Sequence, residues 1–300
     1  MNNCRICNSK EMMPILSGLQ TRLGEVYSLV QCKECDFIST HPVPDPNQLK
    51  RYYDQDYWQN CRNKTGGLLE AFYKLRMNGT IKTIKKMVPA GSRVLDWGAG
   101  DGSLLRLLEA EGFEVAGIDI YSNECFNRKL INASIKSAPF QDEFFDAITC
   151  FHVLEHIDDP VSSIEKAMQL VKPGGILVFE VPNVESIGFK IFSKNWYPLD
   201  IPVHLNHFST MVMKRMFNNI GNTRILKIEY FSHRHSSSSL LLSLMPAISP
   251  PRVRARHSGH FPLSIMFLYL LLQLTVYPLA IMEAFAMRGE IIRMYVRKSA

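Results

Sequence analysis

Val94-Leu95-Asp96-Trp97-Gly98-Ala99-Gly100-Asp101-Gly102 decides how this chain is read: an apolar strand closes on an aspartate, turns through three alternate glycines and runs into the helix-forming residues Ser103 to Glu109. Glycine lets the backbone approach a bound molecule where a side chain would collide, and the first turn of the following helix offers N–H groups without partners. The turn is therefore read as a ligand site. Asp96, at the strand's carboxyl end, adds an acceptor that suits a cofactor bearing a positively charged amine and repels an anionic pyrophosphate.

Outward from the turn, strands and helices alternate. The pattern predicts a strand over 92–97, a helix over 103–111, a strand over 113–120, a helix near 122–130 and a short strand near 133–136. A strand over 144–151, a helix over 160–171 and a strand over 176–182 follow, with Thr210 to Ile220 as a further helix and strands at Thr223 to Phe231 and Ile291 to Arg297. This order demands an α/β fold with a parallel sheet, right-handed crossovers and helices on both faces. Before it, Leu68, Leu69, Phe72, Leu75, Ile81 and Ile84 recur at helical spacing and predict a helix leading into the first strand.

At 300 residues and 46% hydrophobic, the chain is long enough to bury a full core and is not disordered. A net charge of +6 without a dense Lys/Arg block gives no argument for nucleic acid. The start, Met1-Asn2-Asn3-Cys4, has neither the basic residues nor the apolar run of a signal peptide, so the cytosol is the expected location.

Seven cysteines in a reducing compartment favour metal or free thiols over disulfides. Cys4-x-x-Cys7 and Cys32-x-x-Cys35 have the spacing of a four-thiolate tetrahedral Zn2+ site. Four protein ligands leave no open position, so the zinc is expected to be structural and to fold residues 1–42 as a ribbon. Cys61, Cys125 and Cys150 lack partner spacing and read as buried small hydrophobes. His41-Pro42-Val43-Pro44-Asp45-Pro46 reads as a linker, so that 43–91 is linker and lead-in helix, 92–231 the core, 232–290 an apolar helical insertion and 291–300 the last strand.

The insertion departs from a minimal α/β domain. Ser236–Ser239 and Pro246–Pro251 read as irregular, Arg252, Arg254 and Arg256 form a small basic cluster, and Phe261 to Met282 carries no charge. That length would span a bilayer, yet one crossing would strand the last strand on the wrong side. With Pro278 and Glu283 interrupting the run, a helical pair or bent helix is expected, either covering the acceptor pocket or lying at a membrane surface through 252–287.

The residues Asp96, Gly98, Gly100 and Gly102 together resemble the first motif of class I S-adenosylmethionine-dependent methyltransferases. Asp119, about twenty residues further on, ends the second strand where an acidic side chain can take both ribose hydroxyls. Nicotinamide-binding folds share that spacing, but their Gly-x-Gly-x-x-Gly would require glycine where Ser103 stands. Asp142-Glu143-Phe144-Phe145-Asp146, Val153 to Ile157, and Leu170-Val171-Lys172-Pro173-Gly174-Gly175 resemble the fourth-strand and fifth-strand regions of the same enzymes, in the same order. The resemblance implies a Rossmann-like seven-stranded sheet with its last strand antiparallel, and S-adenosyl-L-methionine as donor. It places Asp96, Gly98, Gly100, Gly102, Asp119, Ile120 and His152 around that donor, with Tyr121 as a stacking face, and puts Ser134 where relatives carry an acidic residue for the adenine amine. Tyr52 to Trp58 is similar to tyrosine-rich segments that lie over the cofactor pocket in relatives, although packing explains it equally well.

Methyl transfer from a sulfonium needs positioning above all, and a base near neutral pKa where the acceptor is a hydroxyl or an acidic carbon. His204 is the first candidate, His156 the second, and His207 the third, within His204-Leu205-Asn206-His207-Phe208-Ser209, which is similar to an element of sugar and natural-product methyltransferases. Glu155 is placed to orient a neighbour or help hold the cofactor, and His207 to cap the helix near Ser209. Together with the zinc ribbon, these features resemble bacterial polysaccharide and deoxysugar methyltransferases. Where their carbon-methylating members carry Tyr-x-Glu-His, this chain has Ile201-Pro202-Val203-His204, which shifts the expectation toward oxygen methylation of a sugar or lipid-linked acceptor, an isoprenoid-tailed one included. A non-catalytic binding module and a nicotinamide oxidoreductase remain the alternatives from other classes.

Overall fold

The computed structural model describes residues 3–52, 68–121, 129–256 and 262–299. Residues 53–58 of the tyrosine-rich stretch, the body of the helix expected near 122–130, and Cys61 and Cys125 lie outside the described residues.

The described residues form two sheets. β1 (Met12–Gln20), β2 (Val26–Cys32) and β3 (Ile38–His41) form an antiparallel ribbon, after which α1 (Pro46–Lys50) starts on a capping box closed by Asp45 and Gln48. Next come α2 (Leu68–Met87), β4 (Arg93–Trp97), α3 (Ser103–Ala110), β5 (Glu114–Asp119), β6 (Leu130–Asn132) and β7 (Phe145–Phe151). The chain continues through α4 (Pro160–Leu170), β8 (Val171–Pro182), α5 (Ile187–Phe192), the two-residue β9 (Asn206–His207), α6 (Thr210–Ile220) and β10 (Thr223–Glu229). It closes with α7 (Ser236–Leu244), α8 (Pro250–Arg256), α9 (Leu263–Phe285) and β11 (Ile291–Lys298). The main sheet has seven strands in the order β10-β11-β8-β7-β4-β5-β6, with β11 antiparallel to both neighbours and the β8 to β6 run parallel. Crossing from β4 to the far side of β5 and back to β7 reverses the winding, and such a reversal opens a crevice at the strands' carboxyl ends.

Both sheet faces are buried, which is why the central strands read as unbroken apolar runs. On one face lie Met77, Ile81 and Ile84 of α2 with Leu104, Leu105, Leu107 and Leu108 of α3. The other face takes Ile164, Ala167 and Met168 of α4, Met213, Met216 and Phe217 of α6, and the ribbon residues Cys4, Cys32 and Phe37.

Four local expectations need correction. The third parallel strand lies at Leu130–Asn132 rather than 133–136, because Asn132 pairs beside Asp119 and Ser134 then closes a turn onto Ser137. β8 begins at Val171, where it pairs with Phe145 ahead of a register shift. Ser236–Ser239 is helical rather than irregular, since burying Leu240, Leu241 and Leu242 draws the serines into the same helix. Finally, α9 is one helix that runs through Pro278 in place of a helical pair, and only 11% of its apolar stretch is buried, so it is not enclosed within the protein.

Candidate active site

The glycine turn after β4 does what its composition requires. Gly98, Gly100 and Gly102 have φ of 81°, 52° and 67°, a region open to glycine and costly for other residues. A Cβ on Gly98 would stand 2.1 Å from Val153 Cγ2, whereas a Cβ on Gly100 would meet nothing within 4 Å. Gly98 is thus fixed by packing as well as by its backbone, and Gly100 by its left-handed backbone alone, with open space beside it.

Asp96 is buried at the floor of this turn. Thr149, its register partner on β7, donates its hydroxyl proton to Oδ1 at 2.8 Å. Burial, only partly offset by that bond, raises the Asp96 pKa to about 7. A carboxylate held in such a place has a strong demand for a cationic partner. Asp119, at the end of β5, accepts the Gly100 N–H at 3.0 Å and the Tyr121 N–H at 2.9 Å, and its pKa is raised by burial. Ile120 and Tyr121 stand exposed beside it. Ser134 is on the rim past β6, its hydroxyl shared with Ser137 at 2.9 Å.

His152, just past β7, adopts φ 56° and lies between two carboxylates. As an imidazolium it donates Nδ1–H to Glu155 at 3.1 Å and Nε2–H to Glu180 at 3.0 Å. Burial opposes the charge, but these two bonds outweigh it and lift His152 to about 9. Glu155, which burial alone would raise, is pulled down to about 2, chiefly by His152. Glu180 is held far below its ordinary value by Arg293 of β11 and by His152, against the pull of burial. Arg293 also reaches Glu229 at 3.1 Å, so a chain of alternating charges crosses β8, β11 and β10. His235 at the head of α7 lies over His152 with ring centroids 4.1 Å apart, and Arg234 lies over Tyr73 at 5.0 Å.

The three candidate bases are brought together, but in unequal settings. His156 and His204 meet edge to face at 4.7 Å. His204 donates Nδ1–H to the Pro198 carbonyl at 2.8 Å, and His156 donates Nδ1–H to Val203 O at 3.1 Å. Burial and the adjacent His204 push His156 down to about 4. His207 faces the ribbon instead: it is 3% exposed, its Nε2 lies 3.0 Å from Thr40 Oγ1, and burial drives its pKa to about 3. Ser209, and not His207, caps α6 by accepting the Val212 N–H.

Cys4, Cys7, Cys32 and Cys35 converge with their sulfurs all within 4.8 Å of one another; the Cys4–Cys35 and Cys7–Cys32 pairs are each 3.5 Å apart. That is too far for a disulfide at ~2 Å and close to the ~3.8 Å edge of a tetrahedron with Zn–S of ~2.3 Å. The donor set fits a closed zinc site.

A family model described as "Methyltransferase domain" matches residues 70–225, just over half of the chain. The chain belongs to that methyltransferase-domain family. Its similarity to a ubiquinone biosynthesis O-methyltransferase of Vibrio cholerae is 30% identity over 162 residues, covering 49% of this chain and 65% of that one. For the protein of the same name from Psychrobacter cryohalolentis it is 27% over 172 residues, covering 46% and 64%. The chain therefore spans just under two thirds of the length of these curated relatives. Among solved structures, a SAM-dependent methyltransferase from Archaeoglobus fulgidus superposes with TM-score 0.51 at 20% identity, covering 82% of this chain and all of that one. The cyclase SpnF superposes with TM-score 0.53 at 16% identity, covering 86% and 97%. These two likenesses establish the class I methyltransferase fold, and the second shows that the fold alone does not fix the reaction.

Several residues of the methyltransferase-domain site escaped the sequence reading. Thr149 and Arg293 act through cross-strand register, Asp96 to Thr149 and Glu180 to Arg293, which sequence spacing does not display. Glu180 did leave a signal, as a lone acid inside the apolar strand Ile176–Val181. Thr40, His235 and Tyr73 carry none, since each arrives from a separate segment.

Proposed function

We propose that the protein transfers a methyl group from S-adenosyl-L-methionine to a small-molecule, sugar or lipid-linked acceptor, at a hydroxyl oxygen in preference to carbon. The observation that carries this reading is the pairing of a buried carboxylate, Asp96, with a second one, Asp119, across a glycine turn whose Gly100 keeps open space above it. Asp96 would take the donor's amino group, which returns its pKa to the carboxylate range, and Asp119 the two ribose hydroxyls. The donor supplies an activated methyl on a sulfonium that leaves as a neutral thioether. The protein must align acceptor and methyl, exclude water and accept one proton.

His204 fits the proton acceptor. Its Nδ1–H is fixed on Pro198, so Nε2 carries the lone pair, and the ring lies against His156. His156, at about 4, is too weak a base near neutral pH for a hydroxyl proton. Deprotonation of the acceptor oxygen by Nε2, formation of the O–CH3 bond and release of the thioether then balance. His207, spent on Thr40, supports the loop in this reading. The four cysteines hold a structural Zn2+.

The exposed side of α9 supports peripheral contact with a lipid surface. Phe267, Leu271, Leu274, Met282 and Phe285, each at least half exposed, form one stripe along the helix, with Arg252 and Arg256 upstream. The helix does not cross the bilayer in this reading, because β10 before it and β11 after it are neighbours in one sheet, and α7 and α8 are too short for a return crossing. Calorimetry with S-adenosylhomocysteine and with NAD tests the central assignment. Binding of the former with none of the latter is expected, and the reverse pattern overturns it.

A further inference from the structure

The ribbon is built into the acceptor side of the molecule. Its third strand, β3, pairs on its free edge with β9, matching Ile38 with His207 and Ser39 with Asn206, three residues beyond Cys35. Thr40 makes three bonds to this partner. Its N–H donates to Leu205 O at 3.0 Å, its hydroxyl donates to His204 O at 2.6 Å, and the same hydroxyl lies 3.0 Å from His207 Nε2. A threonine hydroxyl has one proton, and that proton goes to the carbonyl. Toward His207 the oxygen must accept, so His207 is fixed as the Nε2–H tautomer.

Arg5, between Cys4 and Cys7, adds bonds from Nη1 to Leu205 O at 3.1 Å and to Asn206 Oδ1 at 3.3 Å, while Phe37 packs on Phe208. From the other side the turn after β7 closes on the same residues. The Leu205 N–H donates to Glu155 O at 2.7 Å, and Asn206 Nδ2 to Leu154 O at 2.9 Å. Residues 204–207 are thus held between a metal-folded ribbon and the carboxyl edge of the sheet, and none of these bonds touches Asp96, the glycine turn or Asp119.

We propose that Thr40 is a positioning residue for the His204–His207 loop, and that through it metal loading of the four-cysteine ribbon sets the acceptor side of the site while leaving the donor side alone. This rests on reading His204 as an acceptor-side group, but the coupling is measured without any methyl acceptor, so its failure is distinct from failure of that reading. Thr40→Val keeps the β-branched shape and removes the hydroxyl; Thr40→Ser keeps the hydroxyl.

In the zinc-loaded protein, Thr40→Val is expected to speed amide exchange across 203–208 at least tenfold, and to release His207 from its single Nε2–H tautomer in imidazole 15N spectra. Zinc content and affinity for S-adenosylhomocysteine should stay within twofold, and Thr40→Ser should restore both signals. Chelating the zinc from the unmutated protein is expected to deprotect the same 203–208 segment ahead of 96–102, which keeps the test available if Thr40→Val misfolds. Exchange at 203–208 within twofold of the parent after both perturbations overturns the proposal. So does equal acceleration at 203–208 and 96–102, which marks general loosening in place of positioning.

Discussion

Gly98→Ala should damage the donor turn in two separable ways. The residue has φ 81°, where a Cβ costs ~1–2 kcal/mol of backbone strain. That Cβ would also stand 2.1 Å from Val153 Cγ2, a distance real atoms do not share, so the turn or Val153 must move at a further ~1–3 kcal/mol. Together, ~2–5 kcal/mol should appear as lost unfolding free energy plus lost affinity for S-adenosylhomocysteine, read by urea titration and calorimetry. Adding Val153→Ala removes the 2.1 Å collision with Cγ2, leaving only a tight 3.3 Å contact with the Val153 Cβ and the backbone strain, so the double variant should regain ~1–3 kcal/mol relative to additivity. Gly100→Ala is the contrast: it meets no protein atom, so its stability loss is confined to the ~1–2 kcal/mol of backbone strain, while its Cβ occupies the open side of the turn and should weaken donor binding. If Val153→Ala regains nothing in the Gly98→Ala background, close packing is not what holds glycine at 98.

Two further outcomes follow from other parts of the molecule. Burial raises Glu290 to about 8 despite the Trp196 indole N–H donated to it at 2.7 Å, so its folded pKa lies above the ordinary value; the stability tied to its proton is full below about pH 4.5 and is lost as pH rises through 8, and Glu290→Gln should match the parent at pH 5 yet exceed it at pH 8.5 by on the order of 2–4 kcal/mol in urea unfolding, a pH-independent difference disproving the assignment. For α9, the pair Phe267→Asp and Leu274→Asp should lower co-sedimentation with phosphatidylglycerol vesicles by roughly tenfold or more, since each buried apolar side chain contributes ~1.5–3 kcal/mol; unchanged partitioning would remove this face from any lipid contact.

The glycine turn and its two flanking carboxylates were legible because their spacing is written locally. A turn that must admit a ligand needs glycine at fixed offsets, and the carboxylates sit at strand ends that periodicity locates, so Asp96, Gly98, Gly100, Gly102 and Asp119 could be named without coordinates. The histidines were legible as residues but not as roles. His204, His156 and His207 look alike in sequence, and only their surroundings separate a ring bonded to Pro198, a ring pushed down to about 4, and a ring committed to Thr40.

By itself the sequence determined the alternation of strands and helices, the glycine turn and the two cysteine pairs, because each depends on spacing within a few residues. Tertiary structure decided which face each histidine turns to, that Thr149 supports Asp96, that Arg293 and His152 neutralise Glu180, and that the ribbon's edge pairs with the segment holding Asn206 and His207. Those facts arise from strand register and from contacts between segments more than a hundred residues apart in several cases, such as Thr40 with His204 and Glu180 with Arg293. The balance of burial against pairing that sets each charge exists only once those segments have met.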